Sequence, residues 1–251
     1  MINNFIRSRN TISQNYVSNL LYHFVASKIE TEDVQYEILN KILKDRWLSF
    51  SPHDLSISPR QVKIDSFMHR KLKDMINPNC VCFADIPEKE LKIHISKYSK
   101  FGIAFHKSFL IEKGVNPVFY IEENSTIYTT DLSSPDKYKL SNREKYYQEY
   151  VSKTIFYFIQ KYLNCCKNEE VELQDTWEIL NFLINVFSHF KVWNNNLGDS
   201  DFDNYYFERE WRATNNINFQ LSDIIKVILP ENKEKQFKLD FPEYTGELKF
   251  V

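Results

Sequence analysis

Apolar and polar positions follow two periods along the chain, and each change of period marks a new element. Leu20-Leu-Tyr-His-Phe-Val25 is an apolar run with one embedded His, of strand length. Asp33 to Leu43 places Val34, Ile38, Leu39, Ile42 and Leu43 at helical spacing. Trp47 to Ser51 reads as extended, and Ser51 to Pro59, with its Pro, His, Asp and Ser, as a loop. Gln61 to Ile76 predicts a helix through Ile64, Phe67, Met68, Leu72, Met75 and Ile76, stopped by Asn77-Pro78-Asn79.

The centre is strand-like. Cys80 to Ala84, Phe101 to Phe105 and Pro117 to Ile121 are short apolar runs suited to buried strands. Pro87 opens a helix with Glu88 and Glu90 in its first turn, and Lys107 to Lys113 forms a short one closed by Gly114. Asn142 to Leu163 and Val171 to Trp193 then predict two long helices joined by a polar connection, a helical hairpin inserted between strands. After the polar loop Asn194 to Asp203, strand character returns at Tyr205 to Thr214 and Ile224 to Leu229. The expectation is one α+β domain over residues 1–251: a mixed, mostly antiparallel sheet with flanking helices and the hairpin at 142–193.

Composition narrows the picture. With 43% hydrophobic and 16% aromatic residues the chain folds, and its formal net charge of −2 disfavours a nucleic-acid scaffold. Four glycines and no GxGxxG or GxxxxGK[ST] remove the main support for Rossmann and P-loop readings. No secretory segment is visible, and the most apolar stretch, Ile179 to Phe190, is too short and polar to span a bilayer. Four cysteines are no disulfide framework; Cys165 and Cys166 are adjacent, while Cys80 and Cys82 are read as buried and facing opposite sides of a strand. A cytoplasmic protein with reduced thiols, no membrane span and no metal is the expectation.

The sharpest local feature is Phe207-Glu-Arg-Glu-Trp-Arg212. A strand would put Glu208, Glu210 and Arg212 on one face and Phe207, Arg209 and Trp211 on the other. Two carboxylates and a guanidinium on one face suit acid–base or electrostatic chemistry, or a solvated sheet edge. His23 is a core histidine or a catalytic one. Asp85 ends an apolar strand, a common place for functional side chains, or caps the helix at Pro87. His94 and Tyr98 share a helix face as packing or as a pocket wall, and Lys107 binds an anion or is solvated.

Taken in order, Leu21-Tyr-His-Phe24, Cys82-Phe-Ala-Asp-Ile-Pro87, His94-Ile-Ser-Lys-Tyr98, Phe101-Gly-Ile-Ala-Phe-His-Lys107, Gly114-Val-Asn-Pro-Val-Phe-Tyr120 and Glu208-Arg-Glu-Trp-Arg212 resemble the AbiGi-type abortive phage-resistance family of bacteria. The likeness covers 20–121 and 205–230, with Ser99 standing where a Gly is expected. It implies a role in phage defence, on the antitoxin side of a two-gene system, with a protein partner from an adjacent gene. A second resemblance is to ADP-ribosyltransferases. It implies NAD as co-substrate and a macromolecular acceptor, with His23 on the nicotinamide-side ribose and Tyr98 stacked on nicotinamide. Glu210 would stabilise an oxocarbenium-like transition state and Glu208 would orient the acceptor. Arg212, Asp85, His94 and Lys107 would complete the binding site. On that reading Glu210→Gln abolishes activity and leaves the melting temperature nearly unchanged. A non-catalytic antitoxin or sensor, using the aromatic-rich helices from Asn142 to Trp193 against a partner or a second copy, is the alternative. A nuclease with Asp85, Glu208 and Glu210 holding a metal is a third.

Overall fold

A computed structural model describes residues 18–26, 30–50, 62–64, 76–122, 182, 185, 186, 188–198, 201 and 204–251. The centre is a seven-stranded sheet built from β1 (Leu20–Phe24), β5 (Val81–Ala84), β6 (Gly102–His106), β7 (Asn116–Pro117), β10 (Glu210–Ala213), β12 (Ile224–Leu229) and β13 (Glu247–Phe250). Its order is β13-β12-β6-β1-β5-β10-β7. The β12–β13 pair is parallel and the other pairs are antiparallel. The α+β class with a mostly antiparallel sheet is therefore what the chain adopts. Smaller pairings join β2 (Trp47–Leu48) to β11 (Ile217–Asn218), β3 (Val62–Ile64) to β4 (Ile76–Pro78), and, in parallel, β8 (Phe119–Glu122) to β9 (Phe190–Trp193).

Alternation along the strands separates two cores. On one face Leu21, Phe83, Ile103, Phe105, Val227 and Leu229 pack with Tyr36, Leu39 and Leu43 of α1 (Glu32–Asp45) and Phe237 of α4 (Glu234–Asp240). On the other, Tyr22, Ala84, Ala104 and Ile228 meet Leu91 and Ile95 of α2 (Leu91–Lys97). The Thr31 hydroxyl caps α1 by accepting from the Val34 N–H, with Glu32 and Asp33 in the first turn where the helix dipole favours them. α3 (Lys107–Glu112) stops before Gly114, whose φ of +84° suits a residue without a Cβ. Gly102 sits where a Cβ would lie 3.1 Å from the His23 carbonyl, so β1 and β6 approach closely there.

Four expectations change. Val62–Ile64 and Ile76 are paired strands rather than the two ends of a helix. Val62, Ile64 and Ile76 are β-branched and suit cross-strand pairing; the body of the expected helix, 65–75, lies outside the described residues. Phe182, Asn185, Val186 and Ser188 are helical, but the helix expected to reach Trp193 gives way to β9. The Pro117 to Ile121 run is split: β7 pairs with β10 at the edge of the sheet, where Pro117 needs no N–H, and β8 turns away to β9. The strand expected over Tyr205–Thr214 begins only at Glu210, after a 3₁₀ turn at Tyr206–Glu208 and Arg209 with φ +46°. The Ser51–Pro59 loop, the helix at 142–163, most of that at 171–193 and the Cys165–Cys166 pair lie outside the described residues.

Candidate functional site

β10 sets the site. Its register places Glu210 opposite Ala84 and Arg212 opposite Cys82, on the face covered by α2. α2 turns Leu91, His94 and Lys97, at i, i+3 and i+6, toward this face, and Tyr98 caps its C-terminus through an N–H bond to the His94 carbonyl. Glu208 reaches the same place by a different route. The Asp85 N–H donates to the Glu208 and Arg209 carbonyls, 3.3 Å each, which pins the 3₁₀ turn to the end of β5.

Both carboxylates are 4% exposed and enclosed by donors. Glu210 Oε1 accepts from Arg212 Nε at 2.6 Å, and its Oε2 pairs with Lys191 Nζ. Glu208 Oε1 accepts from Lys97 Nζ at 2.6 Å and from the Tyr98 hydroxyl, and its Oε2 lies 3.5 Å from Lys191 Nζ. Arg212 also donates to the Ser188 and Phe190 carbonyls at 2.7 and 3.3 Å. The Glu210 N–H donates to Tyr120 Oη at 2.7 Å. Lys97 and Lys191 each lie 4.1 Å from the centroid of the Tyr205 ring.

The electrostatics follow from this enclosure. Burial pushes the Glu210 carboxyl up, but Lys191 and Arg212 outweigh it and hold the group at about 2. Burial also opposes the charges on Lys191 and Arg212, and their carboxylate partners overcome it and raise both. Tyr98 is raised far above the ordinary phenol, first by burial and then by Glu208, so its hydroxyl stays a donor. His94 is 2% exposed, and both of its ring nitrogens lack a hydrogen-bond partner. It lies among Phe24, Tyr98 and Phe207 at centroid distances of 5.8, 6.2 and 6.5 Å. Burial lowers it to about 4, so it is neutral at pH 7.

The structure thus brings Glu208, Glu210, Arg212, Tyr98 and His94 together and leaves three candidates elsewhere. His23 projects to the other face of the sheet: Tyr22 is the residue in register with Ala84 and Glu210, so its neighbour points away. There its Nδ1 lies 2.9 Å from the Cys82 carbonyl, and its ring is 5.7 Å from Phe83. Asp85 belongs to a separate cluster, with Lys107 Nζ at 2.9 Å, Arg209 at 3.4 Å and the Ser18 N–H at 3.3 Å. That cluster lies on the Trp211 side, where Lys107 is 5.3 Å from the indole. Asp85 therefore shares no metal position with the two glutamates, and among the described residues no three His, Cys, Asp or Glu side chains are grouped to hold an ion. A cleft of ≈ 790 Å³ opens between the start of α1, α2 and the end of β13, lined by Glu30, Gln35, Glu88, Lys92 and Phe250; none of the predicted site residues borders it.

Four partners escaped the sequence reading: Lys97, Lys191, Tyr120 and Tyr205. The available signal was charge balance. Two buried carboxylates require cations, and Phe190-Lys-Val-Trp193 carries a Lys between apolar neighbours in a strand alternation. The cysteines need a further correction. Cys82 is exposed and Cys80 partly so, and their Sγ atoms are 3.5 Å apart. Residues two apart in an extended chain share a face, so the expectation of opposite sides applied the alternation wrongly.

Among the described residues no helix is long and apolar enough to cross a membrane. No solved structure matches the chain. A 73-residue stretch is 37% identical to the abortive phage resistance protein AbiGi of Lactococcus lactis subsp. cremoris, covering 27% of this chain and 29% of that relative. The model of the family described as "Putative abortive phage resistance protein AbiGi, antitoxin" matches residues 63–245, which hold α2, both glutamates and every partner found around them. On this match and the ordered motifs from Cys82 to Arg212, the chain belongs to the AbiGi family.

Proposed function

We propose that this chain acts in phage defence as a non-catalytic antitoxin that neutralises a partner protein by binding it. The observation that supports a binding role over a transferase is the closure of the carboxylate pair. Glu210, the residue assigned to an oxocarbenium-like transition state, is 4% exposed and already engaged by Lys191 and Arg212, and His23 lies across the sheet from it. A carboxylate that stabilises a developing cation has to face the reacting sugar. Here the glutamates hold α2 and β9 to β10 and so shape a surface. β8 and β9 present Phe119 outward, 61% exposed and 5.7 Å from the Phe190 ring, with Phe182 65% exposed nearby in sequence. Aromatic side chains of this kind anchor protein interfaces.

The test is co-expression with the product of the adjacent gene, followed by co-elution and growth rescue. The expected result is a stable complex that Phe119→Asp weakens by at least about tenfold. Nicotinamide release from NAD that depends on Glu210, in a protein that forms no such complex, would overturn the binding reading and return the transferase.

A further inference from the structure

Strand β10 sets a cation beside a pair of cysteines. Arg212 lies directly across from Cys82 in the strand register, which brings its guanidinium next to the pair Cys80 and Cys82. Their Sγ atoms are 3.5 Å apart, with Cys82 exposed. A thiol beside guanidinium and ammonium groups ionises more readily, and the thiolate is the form that reacts with oxidants.

We propose that Cys80 and Cys82 form a redox-sensitive dithiol that a peroxide closes to an intramolecular disulfide on the edge of the charged cluster. In the first step the Cys80 thiolate attacks one peroxide oxygen. The O–O bond breaks, and with one proton the products are a Cys80 sulfenic acid and water (or the alcohol of an organic peroxide). In the second the Cys82 sulfur attacks the Cys80 sulfur, the S–O bond breaks, and the thiol proton leaves with the hydroxyl as water. Two thiols are oxidised and one peroxide is reduced. The fit of Cys80 to the first step is supported by its lowered pKa, to which the hydrogen bond from Cys82 and the charge of Arg212 contribute against burial.

Geometry makes the bridge reversible. Two residues apart in a strand, Cα atoms lie roughly 6.6 Å apart, near the upper limit of about 6.8 Å that a disulfide spans. Cys80 precedes the first residue of β5, so the bend falls on Cys80 and Val81. Strained and exposed disulfides are the readily reduced ones, as a switch requires. The bend would loosen the Val81–Ala213 pairing next to Arg212, linking the oxidation state of the thiols to the grip on Glu210.

Peptide mapping of the full chain tests this directly. Trypsin releases Asp74–Lys89 with Cys80 and Cys82, apart from the Cys165–Cys166 peptide. After peroxide, Asp74–Lys89 is expected to lose two hydrogen atoms, resist alkylation at both positions and recover with dithiothreitol. Cys82→Ser should leave a Cys80 sulfenic acid that dimedone traps, and Cys80→Ser should slow Cys82 oxidation about tenfold. Thiols that oxidise independently, sulfonic acids without a bridged peptide, or an unchanged Cys82 rate in Cys80→Ser would each overturn the proposal. If a Ser variant misfolds, the wild-type peptide decides.

Discussion

Strand β10 carries two unlike regions on its two faces. Trp211 and Ala213 point into the layer under α1, where Phe83, Leu39 and Leu43 exclude water and polar groups such as the Tyr36 hydroxyl, bonded to Asp240, lie toward the margin. Glu210 and Arg212 point into the layer under α2, where every charge is held by a countercharge. The apolar layer is non-directional and roughly proportional to area, so it degrades gradually when trimmed. The charged layer depends on complete pairing: desolvation is repaid only while each partner is present. Removing one member should therefore cost more than removing two that belong together.

Glu210→Gln attacks that point most directly. It leaves Lys191 and Arg212 facing an amide, and urea denaturation at pH 7 should show a loss of about 3–5 kcal/mol. The earlier expectation of an unchanged melting temperature is thus replaced, because the carboxylate is buried and holds two cations. Combining Glu210→Leu with Arg212→Leu should cost less than Glu210→Gln alone, since Lys191 retains Glu208; a double variant that costs the sum of its singles would break the comparison. In the apolar layer, Leu39→Ala should cost about 2–5 kcal/mol by the same measurement. It should show no dependence on ionic strength.

Acid separates the layers further. His94 is held at about 4, below its unfolded value of 6.5, so the stability tied to its neutral form is complete above pH 6.5. That stability is lost as pH falls through 4, in total about 3 kcal/mol. Glu210 is depressed to about 2 from 4.5, so its contribution is present above pH 4.5 and is lost as pH falls through 2. Denaturation at pH 7, 5 and 4 should thus show an early decline that His94→Leu removes; a variant that keeps the decline would assign it to another group. The smallest effect is expected at Thr31→Ala, about 1 kcal/mol from the lost cap of α1.

What could be read from the sequence was whatever a local pattern carries. α1 announces itself through Leu39, Ile42 and Leu43, which it buries as their spacing implies, although Val34 is exposed and Gln35 and Tyr36 are buried; β1, β5, β6 and β12 do so through apolar runs bounded by polar residues. Glu210 and Arg212 share a face because they are two apart in a strand. The rest depends on contacts made far along the chain. Lys191 joins Glu210 only because β9 pairs with β8, over seventy positions away in sequence, and no spacing near Lys191 records that. α4 and β13 went unread: Glu234–Asp240 buries only Phe237, too thin a signal to register as periodicity. His23 was placed with Glu210 by analogy of order along the chain, whereas strand register, which order does not contain, decides the face.

The left-handed residue Arg209 is a point of intolerance to length. Its single turn of backbone brings Glu208 to Lys191, which Glu210 also holds, while sending its own guanidinium to Asp85. Glycine at 209 would meet the same φ without a Cβ in the way. A residue added or removed between 208 and 211 would exchange the cargo of the two faces, delivering the indole of Trp211 to the lysines and the guanidinium of Arg212 to the leucines. Insertional drift is therefore closed to this stretch, and any tag or peptide graft meant to probe the protein belongs outside it.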